Sequence, residues 1–238
     1  MERYLSWKRL LDKNTVDRQS KEDFIASSAI FCETVGFCFF VYAICESVPF
    51  TRPKIHTFGN YLTQWLKRYK TQNYAVTDPT IRHCKRSTEP LRWSSGLFDN
   101  CQQLWSDAND HGLSSAVTQP SFNVGGCTGF LSLFSTRKTI DDAEFEALKP
   151  SVKAFADTLR SWTLEFDETL IARLDIGLRH REKEILRWTA DGKTSEETGL
   201  ILNITADAVN FHLRNIQKKL GACNRVQAVT YAVAQGYI

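Results

Sequence analysis

The residues able to do chemistry in this chain cluster in one aromatic stretch. Between Thr57 and Trp105, the residues Tyr61, Trp65 and Tyr69 recur every fourth position, so they line one side of a helix. Tyr74 follows, and then Asp78-Pro79-Thr80. A residue before proline is pushed out of helical conformation, so Asp78 sits at a bend with its carboxylate free to point sideways. Trp93, Leu104 and Trp105 come next. Aromatic walls, tyrosine hydroxyls, an indole N–H and one carboxylate suit an apolar pocket with a few fixed polar contacts. On the pattern alone, an ordinary aromatic core with a helix-capping Asp is the better fit.

No catalytic set accompanies these residues. The five histidines (His56, His83, His111, His180 and His212) lie far apart, and no zinc-ligand spacing occurs. Seven cysteines with no Cys-x-x-Cys pair read as free, mostly buried thiols in a reducing cytoplasm, not as a disulfide framework. Gly192-Lys193-Thr194 ends like a phosphate loop, but the glycine that motif needs five residues earlier is Arg187. No nucleophile sits on a glycine-flanked turn. The expectation is a non-enzyme without metal or cofactor. Met1 to Lys13 shows no signal-peptide pattern. The longest apolar run, Val35 to Cys45, is eleven residues, well short of the ~20 of a membrane helix. A buried strand in a cytoplasmic protein without a membrane partner is the reading.

The elements that must position the aromatic stretch are legible around it. Lys21 to Val35 reads as a helix stopped at Gly36. Phe37 to Ile44 is apolar on both alternating faces, so it is a strand covered on both sides. Ser114 to Gln119 and Phe130 to Ser135 read as further strands. From Ile140 to Phe166, apolar side chains from Phe145 to Phe166 alternate at spacings of three and four, a helical stripe with Pro150 starting or kinking a segment. The stripe suits a helix packed on its own sheet, with a subunit contact as the alternative. The fold class is α/β plus all-α: an amino-terminal α/β/α sandwich over 1–166, a linker over 167–177, and a four-helix carboxy-terminal domain over 178–238.

The last domain reads as helices Arg179 to Asp191, Thr194 to Asn203, Ala206 to Leu220 and Arg225 to Gln235. Thr205 and Asn224 serve as caps, and Gly192, Gly221 and Gly236 as stops. On the third helix Val209, Leu213, Ile216 and Leu220 share an apolar face, while Asp207, Asn210, Arg214, Gln217 and Lys218 face outward. Nine basic residues against six acidic ones give the region from Leu178 onward the chain's whole net charge of +3. Two short helices, the second apolar behind and polar-basic in front, suit a helix-turn-helix in the major groove. A solvated helix face fits equally well.

Two resemblances bear on these alternatives. Leu178 to Thr194, then Ala208 to Leu220 and Asn224 to Val229, resemble the LuxR-type helix-turn-helix, with Glu182, Leu186 and Gly192 at signature positions. Thr198 departs from the family's aliphatic residue. Tyr61-x3-Trp65-x3-Tyr69-x8-Asp78-Pro79-Thr80, then Trp93, Leu104-Trp105 and Gly112-Leu113, are similar to the acyl-homoserine-lactone-binding domain of LuxR-type quorum-sensing regulators. Gln119 departs from an aliphatic residue there and is expected to add polarity near the pocket.

The resemblance implies a regulator that binds an N-acyl-homoserine lactone and, as a homodimer, a palindromic site on double-stranded DNA. It implies that Trp65 donates to the lactone carbonyl, Asp78 accepts the amide N–H, and Tyr61 donates to the acyl carbonyl with help from Ser132. Tyr69, Thr80, Trp93, Leu104 and Trp105 complete the ligand set. Toward DNA, Asn210 and Arg214 suit base edges, and Lys193, Thr194 and Lys218 suit phosphate. Thr205, Asn224 and Arg225 complete that set. The competing reading is an orphan LuxR-type regulator that acts without ligand or with a different small-molecule signal. A phospho-accepting response regulator is disfavoured, because the first strand ends Ile44-Cys45-Glu46-Ser47 with no Asp pair.

Overall fold

The computed structural model describes Leu5 and residues 20–113, 115–124, 126–136, 139–166 and 176–238. The readings of Met1–Lys13 (Leu5 apart), of Ser114, of linker residues 167–175 and of the Phe166 side chain lie outside the described residues. The chain separates into two compact units, the second built mainly from Leu164–Ile238.

The first unit opens with α1 (Lys21–Thr34), whose first turn is capped by the Ser20 hydroxyl accepting from the Asp23 N–H at 3.1 Å. Five strands follow: β1 (Phe39–Glu46), β2 (Ile55–Gly59), β3 (Leu91–Arg92), β4 (Ser115–Val124) and β5 (Cys127–Ser135). They form one sheet in the order β2-β1-β5-β4-β3. The pairs β1–β2, β1–β5 and β3–β4 are antiparallel. Strands β1 and β5 take the centre because both are apolar on both faces. The sequence reading missed β2 and β3. The first carries His56 and Thr57 on a half-buried edge, and the second is only two residues long, so neither shows apolar alternation.

The pleat assigns the two faces of the sheet. Phe40, Tyr42 and Ile44 point one way, toward α1 and the long α5 (Asp142–Phe166). Phe155 lies 5.7 Å from Phe40 and 4.6 Å from Phe31, and Trp162 stacks on Phe24 at 4.4 Å. Val152, Phe155, Leu159 and Trp162 of the α5 stripe therefore pack inside its own unit. Pro150 sits inside the helix without ending it. Val41, Ala43 and Cys45 point the other way, toward α2 (Thr63–Thr71), α3 (Pro79–Cys84) and α4 (Gln102–Asp110). At the end of β2, Gly59 takes φ +151, and a Cβ there would lie 2.2 Å from the Phe40 carbonyl oxygen. Asn60 then extends the ladder with its side chain, accepting from the Phe40 N–H at 2.8 Å. That close passage turns the chain over the sheet and brings Tyr61 and α2 onto the second face.

The second unit has four helices, α6 (His180–Ala190), α7 (Ser195–Leu202), α8 (Ala206–Leu220) and α9 (Arg225–Ala234), within a residue or two of the expected bounds. Ile185, Leu186, Val209, Leu213, Ile216, Ala228 and Ala232 form its core. Thr194, Thr205 and Asn224 each accept from the backbone N–H three residues on. Asn203 ends α7 in the left-handed region at φ 54, where a short polar side chain is tolerated. Gly199 keeps α7 close to the turn, since a Cβ there would lie 2.6 Å from the Ile204 carbonyl oxygen. Glu182 is buried between α6 and α8. Burial alone would raise its pKa, but the Lys219 ammonium at 2.7 Å and the Arg179 N–H at 2.8 Å hold it below the usual value.

Among the described residues of this unit, one buried side-chain group is unsatisfied. Thr198 is fully buried on α7, and its hydroxyl has no hydrogen-bond partner. Such a group costs about 1–3 kcal/mol. Thr198→Val keeps the shape and removes the hydroxyl, so it should stabilise the α7–α8 region by about 1 kcal/mol. Hydrogen exchange of the α7 and α8 amides in the full chain measures this, and slower exchange is the expected result.

Candidate functional site

The second face of the sheet carries a cavity of about 440 Å³, counting the part open to solvent. Its floor is set by strand register. Val41 pairs with Ser132, and Ala43 pairs with both Phe130 and Thr57, so these side chains stand in rows on one face. Its roof comes from the turn and helix after Asn60: Tyr61, Trp65, Leu66 and Tyr69. Asp78, Thr80 and Trp93 close the sides. Seven of the nine predicted ligand residues thus line one space: Tyr61, Trp65, Tyr69, Asp78, Thr80, Trp93 and Ser132.

Leu104 and Trp105 do not line it. Leu104 is 1% exposed and packs in the aromatic cluster behind Trp65 and Trp93. Trp105 stacks on Phe98 at 5.0 Å, and Phe98 in turn packs on Trp93 at 5.0 Å. Both are supports one layer back. The strand residues Val41, Ala43, Thr57, Phe130 and Phe134 were missed as site residues. Their signal is the alternation of β1 and β5, which names a face but not what lies over it. Gln119 also lies elsewhere. It is the neighbour of the inward-facing Thr118, so the pleat turns it away, and its amide donates to the Thr88 carbonyl at 3.0 Å. The expected polarity near the pocket is absent.

Asp78 is the electrostatic centre of the cavity. As the N-cap of α3 its Oδ1 accepts from the Thr80 N–H at 2.8 Å and the Thr80 hydroxyl at 2.7 Å. Its Oδ2 accepts from the Tyr69 hydroxyl at 2.5 Å. Among the described residues no cation pairs with it. Burial pushes its carboxyl pKa up, and the Tyr69 and Thr80 bonds pull against that rise. Burial, and then the Asp78 charge, push the Tyr61 and Tyr69 hydroxyls well up, so both remain proton donors at neutral pH. Tyr69 spends its proton on Asp78. On the opposite side the Trp93 indole donates to the Thr118 hydroxyl at 2.9 Å, which is linked to the Ser132 hydroxyl at 2.8 Å. Three donors reach the Asp78 carboxylate within hydrogen-bond distance, and the Ile81 N–H also acts to lower its pKa.

A second carboxylate fixes the roof. Asp107 on α4 takes Arg68 Nε and the Tyr74 hydroxyl at 2.5 Å each and Gln103 Nε2 at 2.8 Å. Arg68 leads in lowering its pKa from 3.8 to about 2. Arg68 is on α2, so this pair ties α2 to α4 with Trp65 between them.

The presumed reading surface on the second unit is less uniform than its sequence. Arg214 and Lys218 are exposed on α8. Lys193 lies before α7, its ammonium 3.9 Å from Glu197. Thr194, Thr205 and Asn224 are exposed caps at helix N-termini, where phosphate is favoured. Asn210 is half-buried, and its Oδ1 accepts from the Ser195 hydroxyl at 2.7 Å. Arg225 donates to the Lys193 carbonyl at 2.6 Å. Both are engaged within the unit. The outward line on α8 therefore runs through Asp207, Phe211, Arg214 and Lys218, a stripe displaced by one residue from that expected at Asn210.

Comparison with known proteins accords with both surfaces. Residues 20–160 match the family model described as autoinducer binding domain. Residues 177–232 match bacterial regulatory proteins, luxR family. The chain is 47% identical over 236 residues to the transcriptional activator protein PhzR of Pseudomonas fluorescens, covering 98% of this chain and 96% of that protein. It is 38% identical over 204 residues to the quorum-sensing regulator RhlR of Pseudomonas aeruginosa, covering 86% and 85%. The crystal structure of Escherichia coli SdiA superposes with a TM-score of 0.77 at 30% identity, covering 98% of each chain. A structure of SdiA in complex with octanoyl-rac-glycerol superposes at 0.73, also at 30% identity, covering 98% of this chain and 95% of that one.

The Asp107 network predicts a pH window. Its folded-state pKa, about 2, is below the ordinary 3.8, so its stabilisation is present above about pH 4 and is lost as pH falls toward 2. Urea unfolding of wild type and Asp107→Asn between pH 6 and pH 2 should show the wild-type advantage shrinking across that window. An advantage that stays constant with pH would refute the assignment.

Proposed function

Because the chain belongs to the LuxR family of bacterial regulatory proteins, with an autoinducer-binding domain ahead of its helix-turn-helix, we propose that its cavity takes an N-acyl-homoserine lactone and that a homodimer reads a palindromic DNA site. Ligand-responsive transcription regulation is the activity these two domains compose. The observation that carries the choice of ligand is Asp78: a buried carboxylate, without a cationic partner, holding three O–H or N–H donors and facing an apolar space. Lining the cavity without a cation among the described residues, it suits a further neutral N–H, as an amide provides. A hydrogen bond to a charged group is worth roughly 1.5–3 kcal/mol.

In this reading Asp78 accepts the amide N–H. Trp65 donates to the lactone carbonyl. Tyr61 gives its unused proton to the acyl carbonyl, and Ser132 assists from the floor. Tyr69 and Thr80 hold the carboxylate, while Trp93 walls the space. Leu104 and Trp105 act through the layer behind. No metal, cofactor or catalytic residue has a part, and the regulator acts in the cytoplasm. The domain bounds are 1–166 and 178–238.

Toward DNA, Arg214 addresses a base edge, and Lys193, Thr194 and Lys218 take phosphate. Thr205 and Asn224 present helix N-termini. Arg225 holds the loop that offers Lys193, and Asn210 braces α8 against α7. For the dimer, Val226, Thr230 and Val233 form an exposed side of α9, with Val226 75% and Val233 55% exposed. One short reading helix contacts few bases, which favours two copies on half-sites about 10 bp apart or a multiple of that.

One relative favours a second ligand chemistry. SdiA is solved with octanoyl-rac-glycerol, which offers hydroxyl protons to a carboxylate in place of an amide.

Thermal unfolding of the full chain against a panel of acyl-homoserine lactones and 1-octanoylglycerol separates the readings. At least one lactone should stabilise the wild type more than the glycerol ester does. Asp78→Asn, which keeps a capping side chain, should lose that shift, and Trp65→Phe should weaken binding by about tenfold. A full shift in Asp78→Asn refutes the amide assignment, and a shift with the glycerol ester alone favours the second ligand. On DNA, Lys193→Ala should weaken all sequences alike and reduce the salt slope by about one unit. Arg214→Ala should relax preference at one position, and uniform weakening would instead make Arg214 a phosphate clamp.

A further inference from the structure

The outward stripe on α8 contains one residue that neither phosphate nor a hydrogen-bonding base edge explains. Phe211 is 56% exposed, with Asp207 one turn before it and Arg214 and Lys218 after it. The opposite side of the helix buries Val209, Leu213 and Ile216, so Phe211 is directed away from the core. A single apolar side chain on a surface is ordinary. This one stands in the middle of a polar and basic line on the helix that the proposed function places in the groove. Asn210, the residue beside it, is tied to Ser195 and half-buried, which leaves Phe211 as the side chain projecting farthest between Asp207 and Arg214.

Resting on that assignment of α8 to the major groove, we infer that Phe211 is a specificity-determining residue that reads the 5-methyl group of a thymine. A phenyl ring has no donor or acceptor for a base edge. The thymine C5-methyl is the one apolar group on the major-groove edges of the four bases, and phenylalanine is a side chain suited to it. Water leaves both surfaces on contact, and the half-exposed ring loses its solvent cost. Phe211 and Arg214 are three residues apart, about 4.5 Å along the helix at 1.5 Å per residue. With about 3.4 Å per base step, the thymine falls within about two base pairs of the base that Arg214 reads. The site therefore combines a guanine or other acceptor edge with an adjacent methyl.

The test uses the full chain, purified with whichever panel lactone stabilises it most. Wild-type protein first selects a duplex from a randomised library. Each thymine in that duplex is then replaced singly by deoxyuridine, which removes one methyl group and nothing else. Wild type should lose about fourfold in affinity at one thymine per half-site, the equivalent of one buried methyl. Phe211→Ala should bind the thymine and deoxyuridine duplexes equally, while Phe211→Leu should keep part of the preference. The inference is overturned if no replacement affects wild type, or if Phe211→Ala retains the full penalty. It is also overturned if Phe211→Ala alters only the oligomeric state. Arg214→Ala on the same duplexes separates the two failures. Base preference that depends on Arg214 but not on Phe211 rejects only the thymine contact. Failure of wild type to select any duplex rejects the reading of α8 itself, and the thymine contact with it.

Discussion

A single uncompensated charge organises the amino-terminal unit. The Asp78 carboxylate is almost fully buried and has no cation beside it among the described residues. Moving such a group out of water is costly, and hydrogen bonds must offset the cost. Three of them come from the chain itself, two from Thr80 and one from Tyr69. Each fixes an element. The Thr80 bonds hold the start of α3, and the Tyr69 bond pulls the end of α2 across the cavity. Asp107 does the same work one layer out, with the same number of donors but with Arg68 as its counter-charge. The contrast is that Asp107 is paired with a cation, whereas Asp78 faces the cavity without one among the described residues. A domain with such a buried carboxylate at its cavity is stabilised by whatever supplies a further donor, and the gain grows with ligand concentration.

Much of this architecture was legible from residue order. The last three carboxy-terminal helices were recoverable because each begins at a capping hydroxyl or amide and ends at a glycine or asparagine, and the first because its apolar periodicity breaks at Gly192. Strand β1 was recoverable because burial on both faces leaves an unbroken apolar run, and β5 because Phe130, Leu131, Leu133 and Phe134 crowd both faces around a single serine. Strand β2 was not, since an edge strand half open to solvent tolerates His56 and Thr57. The cavity floor was unreadable for a different reason. Alternation says that Val41 and Ala43 share a face, but only the β1–β5 register sets Val41 beside Ser132 and Ala43 beside Phe130. Register is a long-range property, and no spacing within one segment encodes it.

The same limit explains the DNA-facing side chains. Helical periodicity places Asn210 and Arg225 outward with good reason, because polar residues on an amphipathic helix usually face water. It cannot foresee that Ser195, on a different helix, takes the Asn210 amide, or that the Lys193 carbonyl takes the Arg225 guanidinium. Both bonds cross between elements. Their effect is constructive: Ser195–Asn210 joins α7 to α8, and Arg225–Lys193 joins α9 to the loop before α7. The polar residues nearest the turn are thus consumed in making the helix-turn-helix rigid. The residues left free to meet a partner are those farther around α8.

In each unit one gap bears on a partner, and its character specifies that partner. In the cavity the gap is an acceptor position on a buried anion, within walls of Trp, Tyr and Phe. It selects a donor carried on an apolar body, and an anion would be repelled. On α8 the gap is a half-exposed ring between an arginine and an aspartate. It selects a surface on which an apolar group lies next to hydrogen-bonding edges and close to negative charge. In the proposed reading Lys193 and Lys218 meet the last condition through phosphate, which sets affinity without regard to sequence. Discrimination then falls to the few groups that phosphate leaves unsatisfied.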